Sequence, residues 1–207
     1  MLHEPFISII LFSQTMNYPL KADLVFPNGN EKELALELKA LGFTEAVFCY
    51  GEKVKADKAV IEARQELQKA LKLTIRTAIL LSDRKGIAKA RNRADLLISP
   101  PTREFFEDKR VDAILGPGLE QRKDSPHFRR SLTQVEANLA KAQKKTVLYS
   151  LTDLQAAKRK PELLGRWAQD TIILRKKGAR FRLVSAAKDV LGLRGRKDLE
   201  LFWEALR

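Results

Sequence analysis

The residues that could carry out metal or nucleophilic chemistry are few and scattered in this sequence. It contains two histidines, His3 and His127, and one cysteine, Cys49. A phosphoesterase centre with two or three metal ions needs several imidazole and carboxylate ligands, which two histidines cannot supply. His127 is the one credible general base, and no serine in a nucleophile-elbow pattern accompanies it. The sequence therefore disfavours a histidine-rich metal centre and a serine-based triad.

Other chemical signals are weak. A magnesium site made of carboxylates alone is possible through Asp23, Asp112, Asp124 or Asp153, although solvated or capping aspartates explain such residues better. The sequence has neither a GxxxxGK[ST] loop nor a GxGxxG loop for nucleotide phosphates. Cys49 lies in an apolar, strand-like run, which favours a buried structural thiol, and one cysteine leaves no intramolecular disulfide. We therefore expect a cytoplasmic protein.

Charge is the most informative property of the chain. Its 39 basic and 26 acidic residues give a net charge of +13. The excess is uneven, with 16 basic and 12 acidic residues in 1–103 but 23 and 14 in 104–207. A strong positive field attracts polyanions over long range. The composition therefore favours a nucleic-acid partner.

Clusters of basic residues provide the candidate binding site. Arginine can grip a phosphate bidentately and lysine adds a point charge, and structured RNA is recognised largely by shape and backbone. The sequence alone does not separate RNA contacts from contacts to a protein partner. The residues predicted to bind RNA or a partner are Arg84, Lys85, Lys89, Arg91, Arg93, Arg122, Lys123, Arg129, Arg130, Lys188, Arg194, Arg196 and Lys197.

Short apolar runs alternate with helical patterns along the chain, and these elements must position the clusters. The predicted strands are Ala22–Phe26, Ala46–Tyr50, Leu73–Leu81, Ala94–Ile98, Val111–Leu115, Thr146–Ser150 and Arg180–Ser185. The predicted helices are 30–41, 57–71, 131–142, 153–176 with an interruption at Pro161, and 197–206. Asn30 is predicted to cap the first helix and Gly42 to end it, while Ser131 and Gln134 fit a capping box for the third.

Strands separated by helices indicate parallel pairing, because parallel neighbours need a crossover connection. Seven or eight such units predict a compact and irregular TIM-like (β/α) barrel, with an open doubly wound sheet as the alternative. We expect one domain over residues 21–207, preceded by an extension over 1–20 in which Met16 offers an alternative start. The apolar run 6–12 is too short to span a membrane and lacks the flanks of a signal peptide.

Several segments, taken in order, resemble a known family. They are Asp23-Leu24-Val25-Phe26-Pro27, the strand 110–115 with the loop Arg122-Lys123-Asp124-Ser125, the helix 136–141, the run Leu183-Val184-Ser185-Ala186-Ala187, and the block 193–199. From about residue 21 to 206 the chain resembles protein component 3 of archaeal ribonuclease P, the counterpart of the eukaryotic thirty-kilodalton subunit. The motif positions are Asp23, Asp112, Asp124, Ser125, Ser185 and Asp198. The family usually has glycine where Ala186 stands and often proline where Arg196 stands.

The resemblance implies a barrel related to the polymerase-and-histidinol-phosphatase barrels, with the metal ligands largely lost. It implies a non-catalytic subunit that pairs with protein component 2 in a heterotetramer and joins the other ribonuclease P proteins. The complex would help the ribonuclease P RNA to remove the 5′ leader from precursor tRNA. Magnesium would serve the RNA, so no cofactor of the chain itself and no membrane is expected. The alternatives are a metal-dependent barrel phosphoesterase, a metabolic barrel and a generic basic RNA-binding module.

Overall fold

Seven parallel strands form one sheet in the computed structural model, which describes residues 21–52, 58–119, 124 and 131–206, with the backbone alone for 58–64. Neighbouring strands pair in chain order, and each pair is parallel. All seven predicted strands are confirmed to within two residues at each end. They are β1 (Ala22–Val25), β2 (Glu45–Gly51), β3 (Thr74–Leu80), β4 (Leu96–Ser99), β5 (Ala113–Leu115), β6 (Thr146–Ser150) and β7 (Arg180–Val184).

The segment after β7 returns to β1 and closes the sheet. Val25 forms a parallel bridge with Ala187. The Ala186 amide donates to the Leu24 carbonyl over 2.9 Å, and the Phe26 amide donates to the Ala187 carbonyl over 2.7 Å. The predicted TIM-like barrel is therefore confirmed and the open doubly wound sheet is wrong, because these bonds pair the backbone that an open sheet would leave at its edges.

Helices connect successive strands. Those in the described part of the chain are α1 (Glu31–Ala40), α2 (Lys58–Leu71), α3 (Ile87–Arg91), α4 (Arg103–Glu107), α5 (Gln134–Ala142), α6 (Leu151–Ala156), α7 (Lys160–Lys177) and α8 (Arg196–Ala205), with a 3₁₀ turn at Val190–Gly192. The sequence did not predict α3 and α4, because five residues are too few to show a helical period. Pro161 lies in the first turn of α7, so the predicted interruption is confirmed.

The start of α5 corrects one sequence prediction. Ser131 and Gln134 do not form the capping box; Thr133 and Glu136 do. The Thr133 amide donates to Glu136 Oε2 over 2.7 Å, and the Glu136 amide donates to Thr133 Oγ1 over 3.3 Å. Ser131 lies two residues before the N-cap Thr133, and its hydroxyl donates to the carboxylate of Asp170.

The core has an inner layer inside the barrel and an outer layer between the strands and the helices. The inner layer consists of Leu24, Cys49, Ala78, Ile98, Ala113, Leu148, Val184 and Ala186. Cys49 is 1% exposed, and burial raises the pKa of its thiol to about 12, which confirms the prediction of a buried structural cysteine. Among the described residues, no helix is both long enough and apolar enough to cross a membrane.

Candidate nucleic-acid interface

Two residues of the family motif close the barrel. The Asp23 carboxylate of β1 accepts the amides of Leu24 and Ser185, each at 2.8 Å, and the hydroxyl of Ser185. The two residues are 162 positions apart in the sequence. Asp23 is buried, and this burial raises its pKa to about 6. The contacts of this pair are therefore those of a buried seam between the first and last strands.

Two further motif aspartates also contact neighbouring backbone or side chains. Asp112 Oδ2 accepts Arg91 Nη1 at 2.6 Å and the Leu97 amide at 2.8 Å, so it joins the start of β5 to α3 and β4. Asp198 lies in the first turn of α8, where a carboxylate is favoured by the helix dipole. Its Oδ2 approaches Gly195 so closely that a Cβ there would lie 2.8 Å away.

Helix α7 holds the backbone that follows β5. Arg166 Nη1 donates to the Gly118 carbonyl over 2.7 Å, and its Nε donates to Asp124 Oδ1 over 3.0 Å. Trp167 Nε1 donates to the Pro117 carbonyl over 3.2 Å. The fourth motif aspartate, Asp124, thus pairs with a buried arginine of α7.

One turn further along α7, Asp170 holds the backbone that leads into α5. Its carboxylate accepts the Ser131 hydroxyl, the Leu132 amide at 3.0 Å and the Tyr149 hydroxyl at 3.2 Å. Burial raises the pKa of Asp170 to about 7. No sequence motif pointed to Asp170, although its spacing from Trp167 and Leu174 places it on the buried face of α7.

Arg166, Trp167 and Asp170, here called the α7 clasp, therefore hold both flanks of the segment 120–130. Gly118 and Ser131 stand at the two flanks. The segment contains the predicted cations Arg122, Lys123, Arg129 and Arg130, together with Ser125 and His127. These six residues lie outside the described residues, so the prediction about the four cations stays untested.

The other predicted arginines are engaged within the chain. Arg194 Nη1 donates to the carbonyls of Leu191 and Leu193, over 2.9 and 2.6 Å. The remaining contacts are Arg84 with Asp108 at 3.7 Å, Arg91 with Asp112 at 2.6 Å, Arg93 with the Glu52 carbonyl at 3.3 Å, and Arg196 with Glu200 at 3.3 Å. These arginines therefore also link elements of the barrel or brace its helices.

The predicted lysines differ from these arginines. Lys85, Lys89, Lys188 and Lys197 are exposed. Within the described part of the chain, none of their ammonium groups makes an ion pair or a hydrogen bond. Lys85 and Lys188 follow strands at the carboxyl-terminal end of the barrel, and Lys197 lies in the first turn of α8. Their role in binding stays a prediction.

The two ends of the barrel differ in charge, which the sequence analysis did not detect. Counted in the sequence, the five residues that precede each strand contain 13 basic and 3 acidic residues in all, whereas the five that follow each strand contain 6 of each. One of the 13, Lys145, is buried and donates to the carbonyls of Asp108 and Val111. We call the residues at and just before the strand starts the amino-terminal rim. Counting charge relative to the strand boundaries, instead of along the chain, would have revealed it.

The structure does not bring together the four aspartates of the alternative magnesium site. Three of these carboxylates accept hydrogen bonds from other side chains: Asp23 from Ser185, Asp112 from Arg91, and Asp124 from Arg166. Among the described residues, no three His, Cys, Asp or Glu side chains form a group that could hold a metal ion. Within the described residues, none of these four aspartates therefore belongs to a group of three or more potential metal ligands.

The fold is similar to that of one chain in the cryo-EM structure of archaeal ribonuclease P with mature tRNA. The TM-score is 0.75 and the identity 17%, over 88% of this chain and 82% of that chain. Two further likenesses are much weaker. Phospho-2-dehydro-3-deoxyheptonate aldolase from Thermotoga maritima gives a TM-score of 0.40 at 11% identity, over 90% of this chain and 68% of that chain. Phosphoribosyl anthranilate isomerase from Thermus thermophilus gives a TM-score of 0.37 at 17% identity, over 89% of this chain and 100% of that chain. The sequence matches no protein-family model and no curated protein.

Proposed function

We propose that the chain is a protein subunit of ribonuclease P, and specifically its component 3, which assists the RNA in removing the 5′ leader from precursor tRNA. The observation that carries the proposal is the fold similarity to a chain of an archaeal ribonuclease P assembly over most of both chains. The motif resemblance adds to it, because Asp23 and Ser185, which suggested the family, form the buried seam of this barrel.

The proposed mechanism is electrostatic. Lysines and arginines on the surface neutralise RNA phosphates and release their counterions, which favours the compact, active fold of the RNA. Cleavage itself belongs to the RNA and its magnesium, and the chain contributes no cofactor. The exposed Lys85, Lys188 and Lys197 are suited to this role because no acidic side chain in the described part of the chain neutralises them.

The proposed partners are the ribonuclease P RNA, precursor tRNA, the other ribonuclease P proteins and, directly, protein component 2 in a heterotetramer. The proposed location is the cytoplasm. Mixing the purified chain with component 2 and measuring the mass by light scattering tests the protein contact. We expect a complex with two copies of each chain, and two separate species would contradict this part of the proposal.

Reconstituted cleavage tests the function. The assay mixes an archaeal ribonuclease P RNA, component 2 and the other subunits with precursor tRNA at moderate magnesium, with and without this chain. We expect the chain to raise the rate of 5′-leader removal and to cleave nothing without the RNA.

Two results would overturn the proposal. An unchanged rate would show that the fold similarity does not extend to function. Cleavage by the protein alone, abolished by a chelator, would favour the phosphoesterase alternative, and metal analysis of the purified chain would then be decisive.

A further inference from the structure

The amino-terminal rim is the more basic of the two ends of the barrel, with 13 basic and 3 acidic residues against 6 of each at the other end. Its acidic residues are already engaged: Glu45 pairs with Arg76 at 3.1 Å, Asp95 accepts the Thr77 amide at 2.8 Å, Asp108 pairs with Arg110 at 2.7 Å, and Asp112 with Arg91 at 2.6 Å. In contrast, seven exposed lysines of the rim have no ion pair within the described part of the chain. They are Lys21, Lys69, Lys72, Lys109, Lys141, Lys144 and Lys176.

The ends of the helices explain part of this charge. Helix carboxyl termini lie at this end of a (β/α) barrel, and cations stabilise them through the helix dipole. Two sets of cations do not lie at helix ends, so the helix dipole does not explain them. Lys21, Lys109 and Arg110 lie in the loops outside the helices. Arg76 and Arg182 lie on strands, in register with Val47 and Leu148, which belong to or pack against the inner layer of the core.

The backbone supplies an independent observation. Lys72 and Lys144 follow α2 and α5 with φ angles of +49° and +56°, in the left-handed region that costs an L-residue energy. After α1 and α7 the same kind of position is taken by Gly42 and Gly178, at +85° and +68°. Two rim positions thus carry a lysine where glycine would be less strained.

The composition of the rim favours a nucleic acid over an acidic protein as its partner. The centres of protein interfaces are enriched in apolar and aromatic side chains, whereas nucleic-acid surfaces are polar and positive. The exposed large hydrophobic residues of the described part of the chain are Leu36, Leu119, Val135, Ile172, Leu191 and Leu201. None lies within the five residues before a strand.

We propose that the amino-terminal rim binds the sugar–phosphate backbone of RNA, with Lys72 and Lys144 among its contacts. The choice of RNA over other polyanions rests on the proposed function. The surface lies opposite the carboxyl-terminal end, where barrels of this class usually place their sites.

The double variant Lys72→Gly/Lys144→Gly tests the proposal by separating stability from binding. Glycine adopts the left-handed conformation without strain at both positions, so we expect the double variant to have a melting temperature no lower than that of the wild type. Binding to an archaeal ribonuclease P RNA, measured by fluorescence anisotropy from low to moderate KCl, should weaken about tenfold. The slope of log affinity against log salt should fall by up to about 1.8, since each lost phosphate contact lowers it by up to about 0.9.

Two matched variants complete the experiment. Lys72→Arg/Lys144→Arg keeps the charge and should bind as the wild type does. Lys32→Gln/Lys158→Gln removes two exposed charges near the starts of α1 and α7, at the other end of the barrel, and should leave the slope nearly unchanged.

Wild-type affinity and slope in the glycine variant would overturn the proposal and leave an acidic protein as the occupant to test. The absence of RNA binding by the wild type would overturn it as well. Neither result decides the proposed function, which the cleavage assay tests separately.

Discussion

The two ends of the barrel are built in contrasting ways. Phe26, Leu80 and Leu115, towards the carboxyl-terminal end, pack against the inner core, and the α7 clasp fastens the backbone nearby with buried hydrogen bonds. At the amino-terminal end, exposed lysines lie around the starts of the strands, and Arg76 and Arg182 lie within β3 and β7.

This contrast differs from the usual arrangement of functional groups in parallel barrels. Parallel barrels generally place catalytic groups on the loops that follow their strands. Here the described residues after the strands carry no group of metal ligands, and the surplus of charge lies before the strands. The basic surplus therefore lies at the end of the barrel opposite the loops that usually carry catalytic groups.

The largest effect that we predict concerns the buried clasp. Because the pKa of Asp170 is about 7 in the folded chain, above the usual 3.8, the folded state holds this proton more tightly than the unfolded state. Stability contributed by the protonated form is therefore lost as the pH rises from about 4 to about 7. The loss is up to about 4 kcal/mol, at 1.36 kcal/mol for each pKa unit.

Urea unfolding between pH 4.5 and 8 measures this loss in the wild type and in Asp170→Asn. The variant cannot ionise at position 170, so its unfolding free energy should fall less over this range. Asp23, whose pKa is raised to about 6, adds a smaller loss in the same direction, and Asp23→Asn serves as its control. An identical pH dependence in the wild type and Asp170→Asn would contradict the prediction.

The second prediction compares the two ends by removing three lysines from each. Lys21→Gln/Lys109→Gln/Lys144→Gln at the rim should lower the salt slope of RNA binding by up to about 2.7. Lys85→Gln/Lys188→Gln/Lys197→Gln at the other end should lower it less. The measurement is the anisotropy titration described above. A larger fall for the second triple variant would reverse the comparison and favour the lysines predicted from the sequence.

The smallest effect concerns Ala186, at the carboxyl-terminal end. Its φ of +52° explains why a glycine suits this position in the resembling family. Ala186→Gly relieves the backbone but removes a buried methyl group, worth about 0.8 kcal/mol. We expect the free energy of unfolding to change by less than about 1 kcal/mol in urea titration. A loss above about 2 kcal/mol would show that packing outweighs backbone strain here.

Much of the fold could be predicted because its signals are local. Runs such as Thr146–Ser150 are apolar and bounded by helical patterns, so strand positions and their parallel pairing follow from the sequence. Short elements such as α3 could not be predicted, since five residues show no period. The capping box was placed two residues early because Ser131 with Gln134 and Thr133 with Glu136 have the same spacing, and the sequence alone does not show at which of them the helix begins.

The candidate site was predictable only in part. The sequence clusters drew attention to charge, but they grouped Arg91 and Arg194, which contact Asp112 and nearby carbonyls, with exposed lysines such as Lys85. The rim was missed because its lysines are far apart in the chain. They share one end of the barrel only because parallel strands start together.

By itself, the sequence determined the seven strands, their alternation with helices, the net charge of +13 and the lack of a histidine-rich centre. These properties depend on residue type and on neighbours a few positions away. Only the tertiary structure decided that Asp23 meets Ser185, that α7 holds both flanks of the segment 120–130, and that the basic surplus lies at one end. Burial and closure of the barrel bring these residues together across long stretches of chain, which local patterns do not encode.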